Sequence, residues 1–344
     1  MILETRPTTS HVQTFTISRP TRRRWLSLTC WGYLLLVIAI WLFIRQVTDR
    51  WWLGTLLAIM PRWPFLVPLF ALAPLVVWKK SWRLCAVVVT TAIMALNLLM
   101  GFRIATPMSA HERGDLRILS FNVHRQQVDA NQLADYIATV QPDVIALQDW
   151  SSANQGSLFA SGTWNVHREG ELLVASRYPI GKVTPLDFSD NLDRSLGERG
   201  AAACFELLTP SGPVNLINVH FSSPHNGLNS VLEDQGNLLA RNVERRWEQS
   251  EIVRGLVEGL SDPVILAGDF NTTLESPIFR EHWSDFTDAF DDRGLGFGYT
   301  YLNTHTQMCI DHVLVGPTWQ TSRCWIGPEV GSPHRPLVAD LVVR

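Results

Sequence analysis

The sequence predicts a two-part chain, an all-α membrane region of about three transmembrane helices followed by an α+β domain. Three observations predict it. Residues 25–102 are dominated by long apolar stretches with few charges, whereas from residue 116 apolar runs of four to six alternate with amphipathic segments. Charge divides at the same place: residues 1–102 carry eleven Lys and Arg against two acids, Glu4 and Asp49, and the remainder carries 18 basic and 30 acidic residues. Across 344 residues, 46% hydrophobic content with only 18% charge fits a partly membrane-embedded chain.

Residues 1–24 are polar, end in Arg22-Arg-Arg24, and read as a basic cytoplasmic tail. Residues 26–44 are uncharged and long enough to span a bilayer. No small-residue cleavage site follows them, so they read as an anchor. Two apolar stretches, 51–60 and 65–78, are interrupted by Pro61-Arg-Trp-Pro64. The simplest account is one spanning helix over 58–78, with Trp51 and Trp52 at the interface and Arg62 snorkelling outward. A re-entrant pair is the alternative. Residues 84–102 form a third span with Asn97 as its one strongly polar residue. Arg22–Arg24 before the first span and Lys79, Lys80 and Arg83 before the third mark cytoplasmic ends. Three crossings deliver the C-terminal domain outside the cytoplasm, and two would leave it inside. Residues 103–115 are a linker.

From residue 116 onward, 131–140 places Leu133, Ile137 and Val140 on one helical face, and 231–260 reads as a helix with at least one break. Strands are expected at 172–176, 202–208, 214–219, 264–267, 310–315 and 338–342. The five cysteines show no metal-ligand spacing and read as buried apolar residues, although a Cys309–Cys324 bridge is open to a domain outside the cytoplasm.

Chemistry concentrates at strand ends. Val264-Ile-Leu-Ala-Gly-Asp-Phe-Asn271 is an apolar run ending in an acid and an amide two apart, hence on one side of an extended chain. Ser120-Phe-Asn-Val-His124, Asp143-Val-Ile-Ala-Leu-Gln-Asp149, Asn218-Val-His-Phe221, Ile310-Asp-His-Val-Leu314 and Ser332-Pro-His-Arg-Pro336 complete the set. Singly, each is an ordinary strand end or turn. In this order and spacing, they resemble the endonuclease/exonuclease/phosphatase superfamily over residues 116–344.

The resemblance implies a DNase I-like four-layer α/β/β/α sandwich and hydrolysis of phosphoesters with Mg2+, with Mn2+ as an alternative. It implies Asp149 and Asn122 as metal ligands, His334 as general base oriented by Asp311, and Asp269 as the group that orients the attacking water. Asn271 and His220 would contact phosphate oxygens. His124 and Arg177 are further substrate-contact candidates, followed by Arg199, His225, His305 and Arg335. His312, next to Asp311 on an extended chain, should face away from the site. Two departures stand out. Asp149 replaces the family's usual Glu, shortening the ligand by one methylene, and Pro333 replaces the Asp that usually precedes the catalytic histidine.

The acidic domain argues against a polyanionic nucleic-acid partner, whose affinity rests on basic contacts to phosphate. A short tether to the bilayer favours a phosphorylated lipid or small phosphoester at the membrane surface. Three spans ahead of such a domain resemble the membrane-anchored VanJ-type group of bacterial inner-membrane undecaprenyl-diphosphate phosphatases. An extracytoplasmic nuclease or phospholipid phosphodiesterase would share the same core residues. The two departures also leave open a non-catalytic phosphate-binding protein.

Overall fold

The computed structural model describes residues 21–104, 113–125, 128–151, 158–159, 162–189, 200–224, 227–228, 237–261, 263–304 and 306–344. Four helices come first: α1 (Thr21–Val47), α2 (Trp52–Ile59), α3 (Val67–Trp78) and α4 (Trp82–Met94). A 3-10 turn, Trp63–Leu66, leads into α3, and a π turn, Ala95–Leu99, prolongs α4. Arg24–Val47 and Trp82–Leu99 are each long and apolar enough to cross a membrane. α2 and the stretch Trp63–Trp78 form a third candidate, a pair bent by 72°.

The expected unbroken helix over 58–78 is therefore interrupted. Pro61 has no N–H to continue the ladder of α2, and Pro64 sits at the start of the next turn, where its fixed φ is favourable. Arg62, expected to snorkel outward, instead turns into the protein. Its guanidinium donates to Leu99 O and Glu275 Oε1, both at 2.9 Å. The helices bury Val37, Ile44, Val76, Ala95 and Leu99 against one another and leave Phe70, Val77, Val89 and Ile93 exposed. Apolar side chains thus face both inward and outward, the pattern of helices surrounded by lipid.

The domain is two six-stranded sheets packed face to face. The first takes β1 (Leu116–Asn122), β2 (Val144–Gln148), β3 (Asn165–Glu169), β4 (Leu172–Ser176), β13 (Trp319–Ile326) and β14 (Leu337–Val343), in the order β13-β14-β1-β2-β4-β3. The second takes β5 (Ile180–Leu186), β6 (Ala201–Thr209), β7 (Gly212–His220), β8 (Val264–Asp269), β9 (Thr287–Asp288) and β12 (Asp311–Val315), in the order β5-β6-β7-β8-β12-β9. A two-stranded ribbon of β10 (Tyr301–Leu302) and β11 (Gln307–Met308) stands apart.

Alternate residues of the central strands build the core between the sheets, with Ile118, Val144, Phe205, Leu216, Ile265 and Val313 buried there. The other faces carry helices. Leu133, Ile137 and Val140 of α5 (Ala130–Val140) cover Leu119, Phe121 and Ile145, while Val253 and Val257 of α6 (Asn237–Glu258) cover Ile217, Val219 and Leu266. The four layers are thus helix, sheet, sheet, helix. α6 spans much of the helix expected at 231–260; residues 231–236 lie outside the described ones. All five cysteines are free thiols.

Each sheet has a parallel pair at its centre, β1 with β2 and β7 with β8, flanked by an antiparallel strand, β14 or β12. The carboxyl ends of four strands and the first residues of two others therefore meet at one rim. The helical region docks beside that rim. Asp49, 2% exposed in the turn after α1, accepts from Arg246 Nη2 of α6 at 2.9 Å and from Ser276 Oγ at 2.6 Å. Its carbonyl accepts from Trp247 Nε1 at 2.7 Å. Arg246 is 1% exposed, so the pair is sealed from water.

Candidate active site

Register assembles the site. His220, Asp269 and Asp311 are cross-strand partners on β7, β8 and β12, so three titratable groups lie side by side at one sheet end. Asn122 ends β1 in the facing sheet, and its Nδ2 donates to Asp269 Oδ2 at 2.9 Å across the gap. His334 enters from the loop before β14, where Ser332 Oγ caps its backbone N–H and itself donates to Asn122 O at 2.8 Å.

Gly268 makes the approach of β8 possible. Its φ is 145°, and a Cβ there would lie 2.0 Å from Val219 O, so β8 reaches this close to β7 only without a side chain. Beyond the strands, His124, Asp149 and Asn271 have φ of 46°, 52° and 50°. Left-handed residues turn the chain sharply at three strand ends, and such conformations concentrate where geometry serves chemistry.

Two histidine–carboxylate pairs face each other. His334 Nδ1 lies 2.9 and 3.1 Å from the two oxygens of Asp311, and its Nε2 lies 3.8 Å from Asp269 Oδ2. His220 Nδ1 lies 2.7 Å from Glu171 Oε1, with Nε2 3.8 Å from the same Asp269 oxygen. Each carboxylate fixes its ring with Nε2 directed inward. Burial opposes charge on His220, but Glu171, aided by Asp269 and Asp149, outweighs it and holds the imidazole at about 9. Burial likewise opposes charge on His334, and Asp311 and Asp269 raise it above the ordinary value. Asp269 is itself raised, by burial and then by the Asp311 carboxylate beside it.

The structure brings together Asn122, His220, Asp269, Asp311 and His334, and places Asn271 next to them. Asn271 N donates to Asp269 Oδ1 at 2.9 Å, and its Nδ2 donates to Phe221 O at 2.8 Å. Asp149 stands at the end of β2, 7% exposed, with Arg125 Nε 3.2 Å from Oδ1. His124 is exposed on the same rim, and burial of part of its ring lowers its affinity for a proton.

Arg177 is a correction. It follows Ser176, which pairs with Val144 at the start of β2, so it sits at the opposite sheet end, about 13 Å along the strand from Gln148. There it stacks 4.0 Å from the Trp164 ring centroid. An arginine beside a strand end was legible; which end was not. Arg199, His225 and His305 lie outside the described residues, and Arg335 pairs with Glu329 at 3.1 Å. His312 points away from the rim toward Asp288 Oδ2 and Thr272 O, both at 2.9 Å. Sequence reasoning missed Glu171. It sits in a hairpin turn, tied to the rim by a 2.8 Å bond from Trp150 N to its carbonyl.

A divalent cation fits the donor set. Asp269, Asp311 and His334 each bring a ligand atom within 4.8 Å of the others, and the crowding that raises Asp269 is the crowding a cation relieves. Of these three, His334 is bonded to Asp311 and Asp269 to Asn122, whereas the sequence-based ligand pair is Asp149 with Asn122. A bound cation supplies charge neutralisation on a phosphate oxygen. The protein supplies fixed imidazoles, an acceptor for a water proton and amide donors.

Fold and site define a class, the metal-dependent phosphoester hydrolases of two-sheet sandwich fold. The profile of the Endonuclease/Exonuclease/phosphatase family matches residues 119–334, and the chain belongs to that family. Among solved structures, D. rerio TDP2 complexed with single-strand DNA product is 16% identical, with a TM-score of 0.50 over 66% of this chain and 98% of its own. The 3'-5' exonuclease NExo from Neisseria meningitidis is 18% identical, with a TM-score of 0.50 over 66% and 100%. A family protein from Bacteroides vulgatus is 17% identical, with a TM-score of 0.50 over 67% and 99%. No curated protein matches by sequence. These likenesses establish the fold; the family assignment makes the protein a metal-dependent phosphoester hydrolase.

Proposed function

We propose that this is a membrane-anchored phosphohydrolase acting on a lipid diphosphate of the undecaprenyl-diphosphate type at the outer face of a bacterial inner membrane. Magnesium is the expected cation, with manganese able to substitute. The observation that carries the reading is the contact between helices and rim. A small cavity is lined jointly by Thr48, Asp49 and Thr55 of the helical region and by Asn271, Thr272 and Ile310 of the domain. A site that meets the membrane helices at its own rim suits a substrate whose phosphates stand at a bilayer surface.

Charge supports the orientation. Arg22–Arg24 and the cluster Lys79, Lys80 and Arg83 mark one end of the helices, whereas Asp49, Arg62 and Arg103 meet the domain at the other. Basic clusters favour the cytoplasm, which leaves the domain outside.

In this reading Asp149 and Asn122 would hold the cation, beside the Asp269, Asp311 and His334 group. His334, oriented by Asp311, takes a proton from water that Asp269 aligns. The water oxygen bonds to the terminal phosphorus as the bridging P–O bond breaks, releasing inorganic phosphate and the lipid monophosphate. His220 and Asn271 hold phosphate oxygens, and His124 adds a contact. Pro333 leaves one carboxylate fewer at the rim and Asp149 reaches less far, which suits one cation better than two.

The test offers full-length protein in detergent, with His334→Ala alongside, three substrates: undecaprenyl diphosphate, supercoiled plasmid and a phospholipid. Expected is phosphate release from the diphosphate with magnesium, lost with chelator and in the variant. Plasmid nicking or head-group release in its place would overturn the lipid-diphosphate reading. Magnesium binding with no turnover on any substrate would assign a binding role.

A further inference from the structure

Residues 294–299, Gly-Leu-Gly-Phe-Gly-Tyr, alternate glycine with large apolar side chains. Such a run makes neither a good helix nor a good strand. It leaves Leu295 70% and Phe297 36% exposed, Leu295 being the most exposed large apolar side chain among the described residues of the domain. The loop is pinned to the exit of the last apolar helix. Arg103 N donates to Gly296 O at 2.8 Å and Gly296 N returns a bond to Arg103 O at 3.0 Å. Phe297 packs edge-on to Phe102, centroids 4.9 Å apart, and stacks on Tyr299 at 5.4 Å.

Arg103 lies four residues beyond Leu99, and its Nη1 donates back to Asn97 O at 3.1 Å, so it has not left the helix end. Ile104, the next residue, is 78% exposed. Trp63, 59% exposed, stands at the same end, because neighbouring Arg62 bonds to Leu99 O. Exposed apolar groups from three separate stretches of chain thus share the level at which the helix emerges.

We propose that the 294–299 loop, with Ile104 and Trp63, is a second membrane contact that inserts Leu295 and Phe297 into the acyl region of the leaflet beneath the domain. The proposal rests on the reading that the helices span a bilayer. The loop also continues into the site: Thr300 Oγ1 accepts from Asp311 N at 3.0 Å, and Thr300 O accepts from Arg335 N beside His334. Insertion therefore adds to the helix docking in setting the height of the histidine–carboxylate pair above the lipid head groups.

The test is spin-label depth measurement on full-length protein in lipid nanodiscs, comparing Leu295→Cys, Phe297→Cys, Val89→Cys and Leu208→Cys. Val89 is exposed in the middle of α4, and Leu208 is exposed at the far end of the domain. Unsubstituted protein labelled in parallel gives the background from native thiols. Expected is an oxygen-to-nickel-complex accessibility ratio at 295 and 297 several-fold above that at 208 and approaching that at 89. A ratio at 295 and 297 equal to that at 208, with 89 in lipid, overturns the loop proposal alone. A water-exposed 89 overturns the anchoring reading and this proposal with it.

Discussion

Two histidines carry the residue-scale predictions, one in the site and one beside it. His334→Ala removes the proposed base and is expected to lower kcat on the order of 10²–10⁴-fold with KM little changed, as steady-state kinetics would show. His312 tests burial and charge without touching the rim. Both of its ring nitrogens face acceptors, Asp288 Oδ2 and Thr272 O, so the structure favours the doubly protonated ring. Burial opposes that charge, but Asp288 prevails and raises the folded value above that of the unfolded chain. The folded state then holds a proton that the unfolded state releases. This stabilisation is complete below the ordinary histidine value and declines as pH rises through the raised one. His220 and His334 are raised too, so thermal unfolding of the wild type should show this alkaline decline, and His312→Gln should lessen it without abolishing it. Legibility at this scale followed local chemistry. Asn122, His220, Asp269, Asp311 and His334 each close or open a recognisable run, and their meeting follows from strand register. Glu171 sits in a charged hairpin turn that looks like any solvated turn, and only folding brings it to His220.

At the scale of elements, burial decided what could be read. The strands expected from apolar runs are central ones, covered on both faces. Within the two six-stranded sheets, the four strands whose patterns gave no such run, β3, β5, β9 and β13, are the outer ones. Asn165-Val-His-Arg-Glu169 shows why: an edge with one face near solvent keeps polar side chains and loses the signal. The break between α2 and α3 was signalled by two prolines, but the inward turn of Arg62 was not, because its partners, Leu99 and Glu275, are distant in sequence. Gly268 and Asp49 supply the tests. Gly268→Ala forces a Cβ against Val219 O and should shift Asp269, cutting activity sharply and costing roughly 1–3 kcal/mol of stability by denaturant titration. Asp49→Ala strands the buried Arg246 guanidinium and should cost about 3–5 kcal/mol. An Asp49→Leu, Arg246→Leu pair should recover part of that loss in a double-mutant cycle.

At the scale of the molecule, helices and domain share buried surface, and their contacts include a sealed ion pair. Residues 113–344 produced alone would expose Arg246 and Trp247 to solvent and should melt lower than the full chain in the same detergent. Two regions were legible as a composition shift; their mutual docking was not, because a single aspartate in a turn gives no sign of its partner. The bond from Asn122 in one sheet to Asp269 in the other has a wider consequence. The reacting groups are drawn from both sheets, so the catalyst exists only while the sheets remain in register face to face. Turnover then works as a gauge of sheet-to-sheet alignment. On gentle heating, activity should fade while circular dichroism still reports every strand, as the sheets slip before they unravel.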